Sequence, residues 1–256
     1  VNIEENGNRL PIKYVLPPGI EQEIDNTTTT LRQQNEQSLV LKVCDLQDGD
    51  SRAAYKTSDL DVRAYKRIKM FVHAEGQEDN LNYGDLSCFI RLGSDFTSNY
   101  YEYEIMLQPT PHYASAPAEI WPEQNEIDIA FEIFQLAKQE RNFNNYDVST
   151  PFIKYASSGK ITVVGNPNLS QVKTMMIGVR NPKKNNINSL DDGLSKCGQI
   201  WVNELRLTDF DEYGGWAANS RFTARLADIG NITLSGNLST IGFGSIEKKV
   251  NDRQKY

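Results

Sequence analysis

Residues 125–134 read NEIDIAFEIF, and Glu126, Asp128 and Glu132 stand in the alternating acidic spacing that a retaining glycosidase uses for its nucleophile and acid. In an extended strand, side chains two apart share one face. Two carboxyl groups about 5 Å apart on such a face suit a double displacement. Here Glu132 lies four residues beyond Asp128 rather than two or three, which puts its carboxylate outside that short gap. A helical turn near Phe131 would take it off the strand face altogether. The segment therefore reads as an acidic face opposite a stripe of Ile127, Ile129 and Phe131, and no catalytic residue is assigned to it.

The other residues capable of chemistry give no template either. The sequence has no GxSxG elbow and no GxGxxG, and SSGKIT lacks the upstream glycine of a phosphate loop. His73 takes an outward strand position beside Lys69 and Phe71, and His112 follows Pro109 and Pro111 in a loop. Both read as surface histidines, and the chain is not expected to be an enzyme. DLQDGDSR offers clustered acids to calcium but lacks the full ligand spacing with its terminal Glu, and Asp and Gly meet turn geometry directly. Cys44, Cys88 and Cys197 are far apart with no CxxC pair, so neither a metal nor another cofactor is expected. One bridge is possible in an oxidising compartment, and the pairing stays open. Tyr100, Tyr113 and Trp121 could offer rings to a sugar, whereas Tyr101 and Tyr103 share the inward face of their strand.

These residues need elements to position them. The chain has 256 residues, 39% of them apolar, enough for one large core. A net charge of −7 with scattered Lys and Arg excludes a nucleic-acid surface, which needs clustered cations. No apolar run reaches the roughly 18 residues of a spanning helix, and the opening VNIEENG, without Met, reads as part of something longer. Residues 1–34, with PIKYVLPPGI and DNTTTT, read as a strap or linker on a surface. From Asn35 the pattern becomes alternation: SLVLKV, RIKMFVHA, DLSCFIRL, YYEYEIML, KITVV, TMMIGV and IWVNELRL each put apolar residues on one face. Such strands between polar turns predict an all-β antiparallel sandwich over residues 35–208. EIFQLAKQERN predicts one short helix, and the polar loop at 183–196 a mobile excursion.

In IWVNELRL, Asn203 shares the alternation of Trp201, Leu205 and Leu207, so a buried, structural Asn203 is expected. Residues 209–256 form an extension in which Ile232, Leu234 and Leu238 alternate with Thr233, Ser235, Asn237 and Ser239. That pattern suits a strand of an outer-membrane barrel and suits an edge hairpin of the sandwich equally.

Taken together, NEQSLVLKVCDLQDGDSRAAYK, YKRIKMFVHAEG, DLSCFIRLGSDFTSNYYEYEIML and above all IWVNELRLTDFDEYGGWAANSRFTARLADIGNITLSGN resemble the SprA/Sov family of Bacteroidetes cell-surface proteins. The resemblance implies a soluble domain inserted between strands of a giant outer-membrane barrel, the translocon of the type IX secretion system that supports gliding motility. It implies a structural role at the outer membrane, on its cell-surface or periplasmic side. It also implies partners: a PorV-type barrel protein, a plug protein and secreted cargo, with membrane contact through the parent barrel. It favours the barrel-proximal reading of ITLSGNLS. IWVNELRL further resembles the closing strand of carbohydrate-binding jelly rolls, with Asn203 where an acidic residue often stands, so the sandwich over residues 35–208 is expected to be a jelly roll, and a cell-surface carbohydrate-binding module is the alternative function. Trp201, Asn203, Glu204 and Trp216 are the structural or interface candidates, with the two tryptophans expected to anchor the extension to the sandwich.

Overall fold

The computed structural model describes residues 2–5, 12–21, 24–25, 32–33, 37–76, 81–156, 159–185, 192–210, 215–240 and 243–244. The expectations for TTTT and for the middle of the 183–196 loop, at 186–191, lie outside the described residues. In chain order come β1 (Asn2–Glu5), β2 (Ile24–Asp25), β3 (Arg32–Gln33), β4 (Gln37–Leu46), β5 (Ser51–Leu60), β6 (Tyr65–Gly76), β7 (Ser87–Gly93) and β8 (Tyr100–Met106). The short helix α1 (Pro117–Ile120), β9 (Ile127–Ala130) and helix α2 (Phe131–Phe143) follow. The remainder is strand: β10 (Phe152–Ala156), β11 (Gly159–Val164), β12 (Val172–Arg180), β13 (Lys196–Phe210), β14 (Ala217–Leu226) and β15 (Gly230–Ser239).

Two antiparallel sheets carry the fold. One has the order β1-β4-β13-β6-β9, the other β10-β11-β8-β7-β12-β5. Their facing sides share one core, because the alternating stripes read from the sequence converge there. Leu41, Val43, Met70, Val72 and Ile200 come from the first sheet, and Ile90, Leu92, Tyr101, Tyr103 and Val163 from the second. The fold is thus mostly β, a sandwich of antiparallel sheets with the strand orders above. Helix α2 closes one end with Phe134 and Ala137. It starts at Phe131, so Glu132 leaves the strand face as the sequence analysis requires.

Cys44 and Cys197 form a disulfide that ties β4 to β13. Cys88 is buried and free. Burial, with the Glu104 carboxylate nearby, pushes its thiol well above the ordinary range, so it behaves as a small apolar core residue.

The outer face of the five-stranded sheet carries a second core. Ile12, Val40, Phe71, Ile120, Trp121 and Trp201 pack together, with Tyr14, Val15 and Ile20 against them. Residues 12–20 therefore lie across this sheet. His73 corrects the sequence expectation: its strand position is outward, yet its side chain is fully buried. It stacks on Trp201 with ring centroids 3.8 Å apart, and its Nδ1 meets the Ile120 carbonyl oxygen at 2.8 Å and the Thr110 hydroxyl at 3.0 Å. Alternation reports which side of a sheet a residue faces and not what covers that side.

Candidate functional site

On β8 the alternation that sends Tyr101, Tyr103 and Ile105 into the core sends Glu102 and Glu104 to the outer face of the six-stranded sheet. Both carboxylates are nonetheless 3% and 2% exposed. Buried charge persists only when paired, and the register supplies the partners. One row across the outer face runs Tyr155, Lys160, Glu104, Phe89 and Gly178, and the next runs Ile153, Thr162, Glu102, Arg91 and Met176.

Arg91 Nε donates to Glu102 Oε2 at 2.9 Å. Arg180, from β12, donates from Nη2 to Glu102 Oε1 at 3.1 Å and from Nη1 to Glu104. Lys160 pairs with Glu104, whose other oxygen accepts the Ser87 hydroxyl at 2.6 Å. The guanidinium of Arg91 lies 3.8 Å from the Tyr100 ring centroid and that of Arg180 4.6 Å from the Phe89 centroid. Gly178 makes room for this: a Cβ there would come within 2.3 Å of the Phe89 ring. Burial pushes the Tyr100 phenol up, against the opposing pull of Arg91, which keeps it a neutral donor.

This charge lattice is the floor of an open cleft of about 820 Å³. Tyr83 stands on its wall from the loop before β7, Tyr155 from the β10 edge, and Glu123 and Glu126 from the turn before β9. The chain can thus offer fixed acceptors, fixed donors and aromatic rings on one concave surface. Among the described residues no group of three or more His, Cys, Asp or Glu side chains could hold a metal ion.

Of the residues expected to bind glycan, only Tyr100 lines this cleft. Trp121 is buried in the second core with its Nε1 donating to the Val15 carbonyl oxygen at 2.8 Å, so its ring is not available. Tyr113 is 98% exposed and outside the cleft lining. Asp128 is taken up by Arg67 and Lys69, at 2.7 and 3.0 Å. Burial raises its pKa, but the hydrogen bonds from these two cations outweigh that and leave it lowered. Of the DLQDGDSR acids, Asp45 lies in β4 and Asp48 and Asp50 in the turn between β4 and β5, where the Asp48 carboxylate accepts from the Lys184 backbone N–H at 2.9 Å.

The structural candidates separate. Trp201 and Asn203 both face the second core, and Asn203 Nδ2 donates to the Tyr14 hydroxyl. Glu204, at φ 53°, sits at a β-bulge where three steps along β13 span two along β6. The extra residue flips the alternation, so Leu207 packs on the sandwich core instead of sharing the face of Trp201. Trp201 therefore anchors residues 12–20, not the C-terminal extension. Trp216 is 55% exposed. Its backbone N–H donates to Thr240 Oγ1 at 2.8 Å and its carbonyl oxygen accepts from Thr240 N, closing the base of the β14–β15 hairpin.

That hairpin is a second candidate surface. β14 and β15 pair with each other over ten residues each. Phe222 lies opposite Leu234, Ala224 opposite Ile232 and Ala218 opposite Leu238, while Asn219–Asn237, Arg221–Ser235 and Thr223–Thr233 occupy the other face. Phe222, Leu226, Ile232, Leu234 and Leu238 are all exposed. The β15 half of this pattern is legible in the sequence, at Ile232, Leu234 and Leu238. The β14 half is diluted by alanine and serine on its apolar side and emerges only from the register.

Residues 1–256 match the model of the motility related/secretion protein family, SprA_N. None of the curated proteins matches the chain. The chain belongs to this family, and its motility- or secretion-related role associates it with the cell envelope. No helix among the described residues is long and apolar enough to cross a membrane, which says nothing of crossing by strands.

Proposed function

We propose that this member of the motility and secretion family is a non-catalytic structural domain of an outer-membrane protein-secretion translocon, of the type IX system that supports gliding motility. In this reading the β14–β15 hairpin leads into the wall of the parent barrel. The observation that carries it is the two-faced hairpin. Strands of ten residues match the nine to eleven of a tilted membrane-crossing strand. One face is mostly apolar, interrupted at Ser220–Gly236, and the other bears Asn, Ser, Thr and Arg, the outward and lumenal alternation of a membrane barrel. An isolated two-stranded hairpin with such a face is marginal in water, and lipid on one side with neighbouring strands on its edges removes both problems.

The Cys44–Cys197 bridge supports an oxidising compartment outside the inner membrane. The sandwich then sits at the cell-surface or periplasmic mouth of the channel. There it meets a PorV-type barrel protein, the plug and passing cargo. Nucleic acid plays no part.

The test places a tryptophan at Phe222 or at Thr223 in the parent protein held in vesicles with brominated lipid tails. Added quenching over the native tryptophans is expected for Phe222→Trp and not for Thr223→Trp. Equal quenching at the two positions, or none at either, would overturn the barrel-wall reading.

A further inference from the structure

We propose that the cleft on the outer face of the six-stranded sheet is a binding site for a neutral oligosaccharide. The rings of Tyr83 and Tyr155 serve as stacking platforms, and Lys160 on the floor with Glu123 and Glu126 on the rim recognises hydroxyl groups. This goes beyond the structural role above and uses a surface which that role leaves free.

Charge selects the ligand class first. The cleft lining balances the cations Arg91, Lys160, Arg180 and Lys183 against four glutamates, two on the floor and two on the rim. Such a surface has no net field to gather phosphate or sulfate groups, and none to gather polyamines. The volume, about 820 Å³, lies within the roughly 300–1,000 Å³ usual for small-molecule sites.

Hydrogen bonding narrows the class further. Glu102 and Glu104 cannot swing, because Arg91, Arg180, Lys160 and the Ser87 hydroxyl hold them from several sides. Glu102 accepts four hydrogen bonds from Arg91 and Arg180, which fills the roughly four lone-pair sites of a carboxylate. The acceptors open to a ligand are therefore Glu123 and Glu126 on the rim, and donors come from the Lys160 ammonium beyond its pair with Glu104. Vicinal hydroxyls donate and accept at once and can use both. A phosphate oxygen only accepts, and a cationic ligand only donates. The rigid floor also spares the ordering cost that flexible charged side chains incur on binding.

The rings supply the remaining contact. Tyr83 and Tyr155 are 65% and 60% exposed, yet both line the cleft from different walls. An exposed phenol presents a flat apolar face and a polar tip, matched to a pyranose with C–H groups on its faces and hydroxyls at its rim. Neither tyrosine is needed by the sandwich core, so both can be replaced without unfolding the chain.

The experiment is a neutral-glycan array followed by calorimetric titration of the best hit, using the full 256-residue chain. Saturable binding is expected, weakened at least tenfold in Tyr155→Ala and in Tyr83→Ala and unchanged in Tyr113→Ala, with circular dichroism confirming that each variant is folded. A silent array at millimolar glycan would overturn the proposal. So would binding that survives the Tyr83→Ala/Tyr155→Ala double replacement. Preferential binding of polyuronate or sulfated glycans added to the array would overturn the neutral class. None of these outcomes bears on the hairpin test, so the two readings fail separately.

Discussion

Reducing the Cys44–Cys197 bridge should destabilise the sandwich through its unfolded state. The bridge spans 153 residues, and the loop-closure relation assigns a loop of that length about 5 kcal/mol at 25 °C. Packing contributes little to the difference, since Cys44 is exposed and Cys197 half-buried. Exposure also lets a reductant reach the bridge in the folded protein. For a chain of this size each kcal/mol shifts the midpoint by roughly 2–4 °C, so the expected fall in Tm is about 10–20 °C. The assay is thermal circular dichroism with and without dithiothreitol, paired with a thiol count. One thiol should react in the oxidised, denatured protein and three after reduction, because Cys88 is the remaining cysteine. Cys88 should resist labelling until the chain unfolds. A Cys44→Ser/Cys197→Ser double variant should match the reduced protein, and urea titrations should show a larger m-value for both, from a more expanded denatured chain. A shift below about 3 °C with reduction verified would refute the argument from the unfolded state.

Two further perturbations test the second core and the acid sensitivity of the fold. Trp201→Ala removes the ring on which His73 stacks and against which Tyr14 packs. It should cost roughly 3–5 kcal/mol and expose residues 12–20 to limited proteolysis ahead of the sandwich; uniform cleavage along the chain would count against a separate strap. Backbone N–H groups of Ser98, Thr97 and Asn99 and the Asn99 side chain hold Asp95 well below the usual carboxylate range. Its contribution is therefore present above the unfolded value of about 3.9 and is lost as pH falls through the lower folded value. Asp95→Asn should lower stability at pH 7 by about 1 kcal/mol, given the partial exposure of the site. The gap in urea midpoint between the two proteins should narrow between pH 5 and pH 2, and a gap independent of pH would sink the assignment.

Strands with one face in the sandwich core were legible as alternation, and β4, β6, β7, β8, β11 and β12 follow it, as does β13 up to its bulge. β5 and β10 were not, and they are the two edges of the six-stranded sheet. An edge strand need not bury a full apolar stripe, as the exposed Tyr55 and Lys56 of β5 and the exposed Ile153 and Tyr155 of β10 show. The helix was legible because Phe131, Phe134 and Ala137 fall at its spacing on one face. The cleft was not, because Glu102 meets Arg180 across 78 residues of sequence and only the register of β8, β7 and β12 brings them together. Glu204 hid the bulge: a left-handed backbone at Glu has no local signal of the kind that Gly or Asn gives. His73 was placed on the outward side of its sheet, whereas Trp201 was grouped with Leu207, which lies on the sandwich-core side beyond the bulge; the outer side is covered by residues 12–20 and by Ile120 and Trp121, all distant in sequence from Trp201.

β13 is the longest described strand, 15 residues in the middle of its sheet between β4 and β6. It reaches Phe210, seven positions before the hairpin begins at Ala217. Tension applied at Phe210 along the axis of β13 would load its ladders in shear, so that many interstrand hydrogen bonds share the force instead of opening one after another. At the far end the strand is tied covalently to its neighbour through Cys197. A pull along β13 would therefore have to break its ladders to β4 and β6 together, and the disulfide to Cys44 would still hold the strand to its neighbour.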